Sequence, residues 1–456
     1  MLQLMLAFLC RHPAVRSPFL AALIFRASLK RVENLKNEGS GRYVALLLAR
    51  PGLTEDAASI FENTREFLVL SAPQGFLKAI AAGILKETID EQNYVNLSPE
   101  EEQSKSVYRE FLQRMFTWVF RITRIDVIVS GNFAYYAERE LHTATEALGV
   151  PFVVVHKENL KSPSKVAFFT DLYRYRRGPF TGRRIAVYNG SERDIQIAAG
   201  VVTEDRVNIC GMPRLDRVHA WRRANAGNKL PERPTVVFFS FGTRTGLPAF
   251  RRKNNLPGLF VAEDGAFTEP MTPEMERLTW VETLRLTMRA AADFATANPK
   301  ARVVLKSKRG RAQTAAFRNA VGDATPPNIE WVDGGDPFEL LKETWAVVSM
   351  NSTAVLESIA MGTTVLTPGF GEAATPEMQP WLADFGDAVE RMDDPHRLVA
   401  RLSEICAGPP PVVPAVLNAA ATATLEQWTG NSDGKASERV YAVIEREVLA
   451  SQPAVS

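Results

Sequence analysis

Short apolar runs rich in branched side chains recur along this chain, with stretches of helical spacing between them. The first series is VALLLA at 44–49, EFLVLS at 66–71, IDVIVS at 125–130, PFVVVH at 151–156, RIAVYN at 184–189 and RVNICG at 206–211. Runs apolar on both faces and alternating with helices predict buried parallel strands, hence an α/β unit with helices on both sides of the sheet. The interval 73–124 carries no comparable run. Its stretch SPEEEQSKSVYREFLQRMFTWVFRIT predicts a long helix capped at Ser98, read as a helical insertion.

After Asp216 the segment HAWRRANAGNKLPERP turns polar and ends in prolines, the composition of a linker, which puts a boundary near 225–233. A second series follows: TVVFFSFG at 235–242, LFVAEDG at 259–265, ARVVLKSK at 301–308, NIEWVDGG at 328–335, WAVVSMNS at 345–352 and TTVLTPG at 363–369. Two doubly wound Rossmann-like domains facing across a cleft are therefore expected, residues 1–228 and 229–410. A helical tail, 411–456, follows Pro409, Pro410 and Pro411 and returns toward the first domain.

Length agrees with this division, because 456 residues exceed what one hydrophobic core usually serves. Apolar residues at 46% and charged residues at 23% are ordinary globular usage, and a formal charge of +2 gives no global field for nucleic acid. Cys10, Cys210 and Cys406 are scattered, with no pair at metal-ligand or disulfide-framework spacing, which suits a reducing cytoplasm. No D-x-D or H-x-x-x-H is present, so metal-independent chemistry without a cofactor is expected.

The opening MLQLMLAFLC is apolar for ten residues, too short to span a bilayer, and lacks the basic flank and cleavage site of a signal peptide. SPFLAALIFRASLKR at 17–31 mixes apolar and basic positions. That composition fits either a helix docked on the protein or one lying on an anionic membrane at the inner face.

The strongest local pattern is WAVVSMNSTAVLESIAMGTTVLTPG, an apolar strand, an Asn-Ser-Thr turn and a helix closing at Gly362. A helix starting at the carboxyl edge of a parallel sheet presents free N–H groups and a positive dipole end, a site for phosphate. Asn351, Ser352 and Thr353 supply cap or ligand groups, and Glu357, one turn on, is placed to accept from a ribose. The same turn also serves as a plain structural cap. Lys306 and Lys308, with Arg309, follow ARVVL; Thr243 and Arg244 sit in FSFGTRTG between Gly242 and Gly246, where backbone can approach a ligand.

FELLKETWAVVSMNSTAVLESIAMGTTVLTPG resembles the donor-site region of GT-B bacterial surface-polysaccharide glycosyltransferases, with N-S-T followed by E-x-x-x-x-G. RIAVYNGSERDIQIAAGVVTEDRVNICGMPRLDRV resembles their interdomain portion, with its G-x-P-R-x-D element. The likeness implies a GT-B fold, a nucleotide-sugar donor in the C-terminal half, and a glycan or lipid-linked acceptor. Where such enzymes carry a lysine and His-Pro, this chain has LKSKRG, so no histidine role transfers.

Glu263, Asp264 and Gly265 resemble acid-acid-Gly elements of sialic-acid and 3-deoxyoctulosonate (Kdo) transferases. Likeness to retaining β-Kdo enzymes implies a carboxylate on each side of the anomeric carbon, with CMP-Kdo as one donor. Asp216 is then the first candidate nucleophile, Glu158 the acid/base partner and Asp264 the alternative, while His156 and His219 are other proton carriers. A sugar-nucleotide epimerase, a polyol-phosphate transferase of the teichoic-acid type and an inactive carbohydrate-binding protein share the expected fold.

Overall fold

The computed structural model describes residues 1–32, 41–50, 53–62, 66–95, 97–157, 160–247, 277–307 and 325–452, together with 260–261, 267–268, 317–318 and 320. The first sheet has seven strands: β1 (Lys30–Arg31), β2 (Tyr43–Ala49), β3 (Phe67–Pro73), β4 (Val127–Ser130), β5 (Phe152–Val155), β6 (Arg184–Val187) and β7 (Val207–Ile209). Their order is β1-β3-β2-β4-β5-β6-β7, parallel throughout except for the β1–β3 edge pair.

After β8 (Thr235–Phe239), the strands β9 (Phe260–Val261) and β10 (Phe267–Thr268) form a separate antiparallel pair. The run at 259–265 was expected to extend the second sheet. Its described part instead stands outside it. The second sheet is completed by β11 (Arg302–Ser307), β12 (Ile329–Asp333), β13 (Ala346–Val348), β14 (Thr364–Pro368) and β15 (Glu390–Met392). It is fully parallel, in the order β12-β11-β8-β13-β14-β15. Two doubly wound α/β layers of this kind, joined by a returning C-terminal helix, make a GT-B-like arrangement.

Central strands read as continuous apolar runs because both faces are covered: Val127–Ser130 and Phe152–Val155 are buried at every position. The long helix Pro99–Ile122 begins with a capping box between Ser98 and Glu101 and buries Phe111, Leu112, Met115, Phe116 and Val119. It is not an insertion. Because β3 and β4 flank β2, the chain leaving β3 must cross β2 to reach β4, and Gln74–Ile84 and Pro99–Ile122 build that crossover.

The segment read as linker, His219–Pro234, is helical as far as Ala224, closing a helix Leu215–Ala224 that buries Leu215, Val218, His219 and Arg222. Beyond it the chain runs beside its own return path. Leu230 N donates to Pro411 O at 2.9 Å, and Val413 N to Asn228 O at 2.9 Å. The last helix, Ala436–Ser451, then lies on the first sheet, where Val440, Val443, Ile444 and Val448 join the core of Tyr43, Ala45, Leu47, Phe67 and Val127. Its Glu447 meets Arg184 at 2.6 Å.

Three arginines at the close of the first sheet reach the second domain. Arg214 Nε lies 3.6 Å from Glu357 Oε1, Arg217 holds Asp336 through two contacts of 2.5 and 2.8 Å, and Arg222 Nε donates to Ala360 O at 3.0 Å. The last of these places a cation at the negative end of the helix Thr353–Met361.

Candidate functional site

Strand order fixes where a ligand fits. In each doubly wound sheet the chain goes one way from a central strand and later returns to that strand's other side, so the connections diverge and leave a crevice at the carboxyl edge. In the second sheet that point lies between β8 and β13. The loop after β8 carries Gly242, Thr243, Arg244, Thr245 and Gly246, and the turn after β13 carries Ser349 to Thr353.

These two turns meet. Asn351 is the one described non-glycine residue with a left-handed backbone, φ 49°, and Gly246 opposite has φ 75°. A Cβ on Gly246 would stand 3.1 Å from Asn351 Nδ2, so glycine is needed there for space as well as for conformation. The strain at Asn351 is held by two bonds: Nδ2 donates to Trp381 O at 2.9 Å, and Oδ1 accepts from Ala383 N at 2.8 Å. Ser352 Oγ accepts from Ala354 N at 3.2 Å and caps the helix Thr353–Met361. Ser349, 1% exposed, keeps a hydroxyl with no hydrogen-bond partner among the described residues. A buried hydroxyl without a partner beside a helix N-terminus suits a bound acceptor oxygen.

The glycine loop is pinned by Trp280, whose N donates to Thr243 O at 2.8 Å and whose Nε1 donates to Thr245 O at 2.8 Å. Arg244 Nη1 donates to Leu278 O at 3.1 Å. Thr243 is exposed.

Lys306 sits at the strand end as expected, but its ammonium is turned into the turn after β12, donating to the carbonyls of Ser307, Gly334 and Gly335. Burial pulls it below the usual lysine range, with Asp333, Asp336 and Glu357 opposing. It braces that turn, and its three donors are spent there. Glu357 is buried against Arg214, and burial raises its carboxyl above the ordinary value while Arg214 and Arg217 counter the rise.

Across the crevice the first domain contributes the segment after β5. A cleft of about 400 Å3 including its open mouth is lined by Ser162, Lys165 and Phe169 from that segment, by Gly246 and Asn351, and by Trp381 and Trp428 among others. Lys165 Nζ lies 4.4 Å from the Trp381 ring centroid, and Ser164 Oγ donates to Pro380 O at 2.9 Å, so the two domains touch here. Aromatic faces beside a cation and a helix N-terminus form a setting for a base or sugar linked to phosphate.

Sequence reasoning missed Lys165, Phe169, Trp381 and Trp428. KSPSK after a buried strand carried a signal for the first, since it puts cations in a turn at the carboxyl edge. Nothing local marks the tryptophans.

Behind the cleft lies a buried ionic group. Glu192 receives His156 Nε2 at 3.0 Å, Lys161 Nζ at 3.2 Å, Tyr173 Oη at 3.0 Å and Gln196 Nε2 at 2.8 Å. Burial alone would push its carboxyl up, but the charges of Lys161 and His156 outweigh this and hold it down at about 2. A second group joins Arg50 and Ser130, at the ends of β2 and β4, to buried Glu138.

Of the three expected catalytic carboxylates, only Asp216 is among the described residues. Asp216 accepts from Asn431 Nδ2 at 2.7 Å, Ala436 N at 3.1 Å and Ser437 N at 2.7 Å, and so ties the last helix to the first domain. Asp216 is not among the residues that line the cleft. Glu158, Asp264 and Lys308 lie outside the described residues. His219 Nε2 is within 3.0 Å of Asn431 O, and burial lowers its basicity; His156 is fully buried on Glu192. Neither histidine opens on the cleft.

No family model and no curated protein matches the chain. Among solved structures it is similar to a UDP-N-acetylglucosamine 2-epimerase at 10% identity and TM-score 0.49, covering 92% of this chain and 99% of that one. The UDP-GlcNAc 2-epimerase of Neisseria meningitidis bound to UDP-GlcNAc matches at 10% identity and TM-score 0.45, covering 90% and 99%. The wall teichoic acid polymerase TagF matches at 10% identity and TM-score 0.46, covering 96% of both chains. Likeness this remote assigns no activity to this chain.

Proposed function

We propose that this protein is a glycosyltransferase of the GT-B type, moving a sugar from a nucleotide-sugar donor to a glycan or lipid-linked acceptor at the cytoplasmic face of the membrane. Residues 1–228 form the acceptor side, 229–410 the donor side and 411–456 the tail that ties them. The observation that carries the reading is the meeting of Gly246 and Asn351, at the switch point of the second sheet, with Ser162, Lys165 and Phe169 of the first domain in one cleft.

In this reading the donor pyrophosphate or phosphate lies at the N-terminus of Thr353–Met361, bonded by backbone N–H groups and the hydroxyls of Ser349 and Thr353. Breaking the sugar–phosphate bond leaves negative charge on the phosphate, which the helix end and Lys165 stabilise. Trp381, Trp428 and Phe169 offer flat apolar faces for the base or sugar. Glu158, two residues before the cleft-lining Leu160, is the proposed base for the acceptor hydroxyl. Asp264 remains the alternative carboxylate. This reading gives the chemistry to Glu158 or Asp264 and leaves Asp216 to hold the last helix.

The test is a thermal-shift screen against CMP, UDP, GDP and CDP, followed by incubation with the matching sugar nucleotide with and without acceptor. A ligand at 100 times its dissociation constant adds about 2.7 kcal/mol to stability. Sugar release or transfer that depends on an acceptor supports the proposal, and CMP preference points to a Kdo or sialic-acid donor. Isomerisation of the sugar nucleotide in the absence of any acceptor overturns it in favour of an epimerase.

A further inference from the structure

The described surface bears an apolar face that no other described residue covers. In the helix Leu2–Arg11, Leu6, Leu9 and Cys10 are buried, while Leu4, Met5 and Phe8 stand out, Leu4 at 74% and Phe8 at 62% exposure. In the helix Pro18–Ser28, Ala21, Ala22 and Phe25 face the core and Phe19, Leu20 and Leu23 face outward. Trp118 and Ile122 of Pro99–Ile122 continue the face, since the Phe19 and Trp118 rings meet edge-on at 5.0 Å between centroids. Each helix thus has two apolar sides, one spent on the core and one left over.

Charge says what covers the outer side. From Met1 to Val32 the sequence has no aspartate or glutamate and carries Arg11, Arg16, Arg26, Lys30 and Arg31. Arg11, Arg26, Lys30 and Arg31 are exposed, as is Arg121, whose guanidinium lies 5.0 Å from the Trp118 ring. Apolar side chains rimmed by exposed cations, Arg11, Arg26, Lys30 and Arg121 among them, fit an interface whose outer layer is anionic and whose interior is hydrocarbon. No helix among the described residues is long and apolar enough to cross a membrane.

We propose that Leu4, Met5, Phe8, Phe19, Leu20, Leu23, Trp118 and Ile122 form a docking face for an anionic lipid surface, entered by the apolar side chains and held by the surrounding arginines and lysine. This face stands independently of the chemistry in the cleft. On this proposal one helix serves the core and the surface at once.

Deleting residues 1–31 would not test it, since that removes Leu6, Cys10 and Phe25 from the core. The test uses the full chain with Leu4→Glu and Phe8→Glu together, and separately Arg26→Glu with Lys30→Glu, all at exposed positions. Co-sedimentation is measured with vesicles of phosphatidylcholine alone and of phosphatidylcholine with phosphatidylglycerol, with circular dichroism as the fold check. The expected result is binding only to the mixed vesicles, weakened by salt, and reduced about ten-fold or more in each folded variant. Equal binding of wild type and variants overturns the proposal. So does self-association in lipid-free buffer that the Leu4/Phe8 variant abolishes, which would make the face a contact between copies. Retained vesicle binding in a protein that fails every nucleotide test would reject the transferase reading and leave the docking face intact.

Discussion

Arg214 Nε lies 3.6 Å from Glu357 Oε1, and the Arg214 backbone N donates to Asp56 Oδ1 at 3.2 Å, so a single arginine joins the two domains between buried carboxylates. Tyr188 Oη donates to Asp56 Oδ2 at 2.7 Å. Burial raises both carboxyls, with Arg214 pulling against it in each case.

Removing that arginine strands two buried acids. Arg214→Ala is expected to cost about 3–5 kcal/mol in urea unfolding, whereas Glu357→Gln, which keeps the volume and loses one charge, should cost far less. Similar losses for the two would show that Arg214 does not serve as the shared counter-charge.

Ser349 offers a change that separates binding from folding. Its hydroxyl has no partner among the described residues, so Ser349→Ala should leave thermal stability unchanged or slightly raised, while nucleotide affinity falls by about 1 kcal/mol, roughly five-fold. Ser352→Ala should differ, costing about 1 kcal/mol of stability as well because it removes the cap on Ala354 N. Calorimetric titration beside a melting curve reads both quantities.

Asp216→Asn should lower the melting temperature, since an amide cannot accept from Asn431, Ala436 and Ser437 with full charge; a loss of about 1–3 kcal/mol is expected. Turnover per folded molecule should be kept. Abolished turnover at unchanged stability would instead return Asp216 to the chemistry.

Acid should act through Glu192. Its carboxyl is depressed from 4.5 to about 2, so the stabilisation it gives is complete above pH 4.5 and disappears as the pH falls toward 2. On the order of 3 kcal/mol is at stake. Glu192→Gln should be less stable at neutral pH and show a flatter acid limb in chemical denaturation between these values; an unchanged acid limb would contradict the buried network.

Lys165→Met should weaken nucleotide binding about ten-fold and reduce its salt dependence, because the ammonium that lines the cleft 4.4 Å from the Trp381 ring centroid would be gone. A KM effect confined to the acceptor would move Lys165 to the other substrate.

Most of the strand ladder was legible in the sequence because strands buried on both faces must be apolar at consecutive positions, as in Phe152–Val155. The turn at Asn351 to Thr353 was legible for a similar reason: a strand, a capping side chain and a helix are local in the chain. β15, Glu390–Met392, was missed because an edge strand need not be apolar. The chain alone also marked Ser98 as a cap and the region near 225–233 as a connection. The tertiary structure decided what those local pieces meet. Lys306 looked like a phosphate ligand from its place at a strand end, yet its partners are carbonyls 28 and 29 residues onward. Asp216 looked like a cleft residue, yet its donors come from a helix more than 200 residues later. Lys165, Trp381 and Trp428 come together only because two sheets face each other and the last helices return across them. Short-range periodicity records which side of an element is buried; which distant groups share that side is set by packing, and no local pattern carries it.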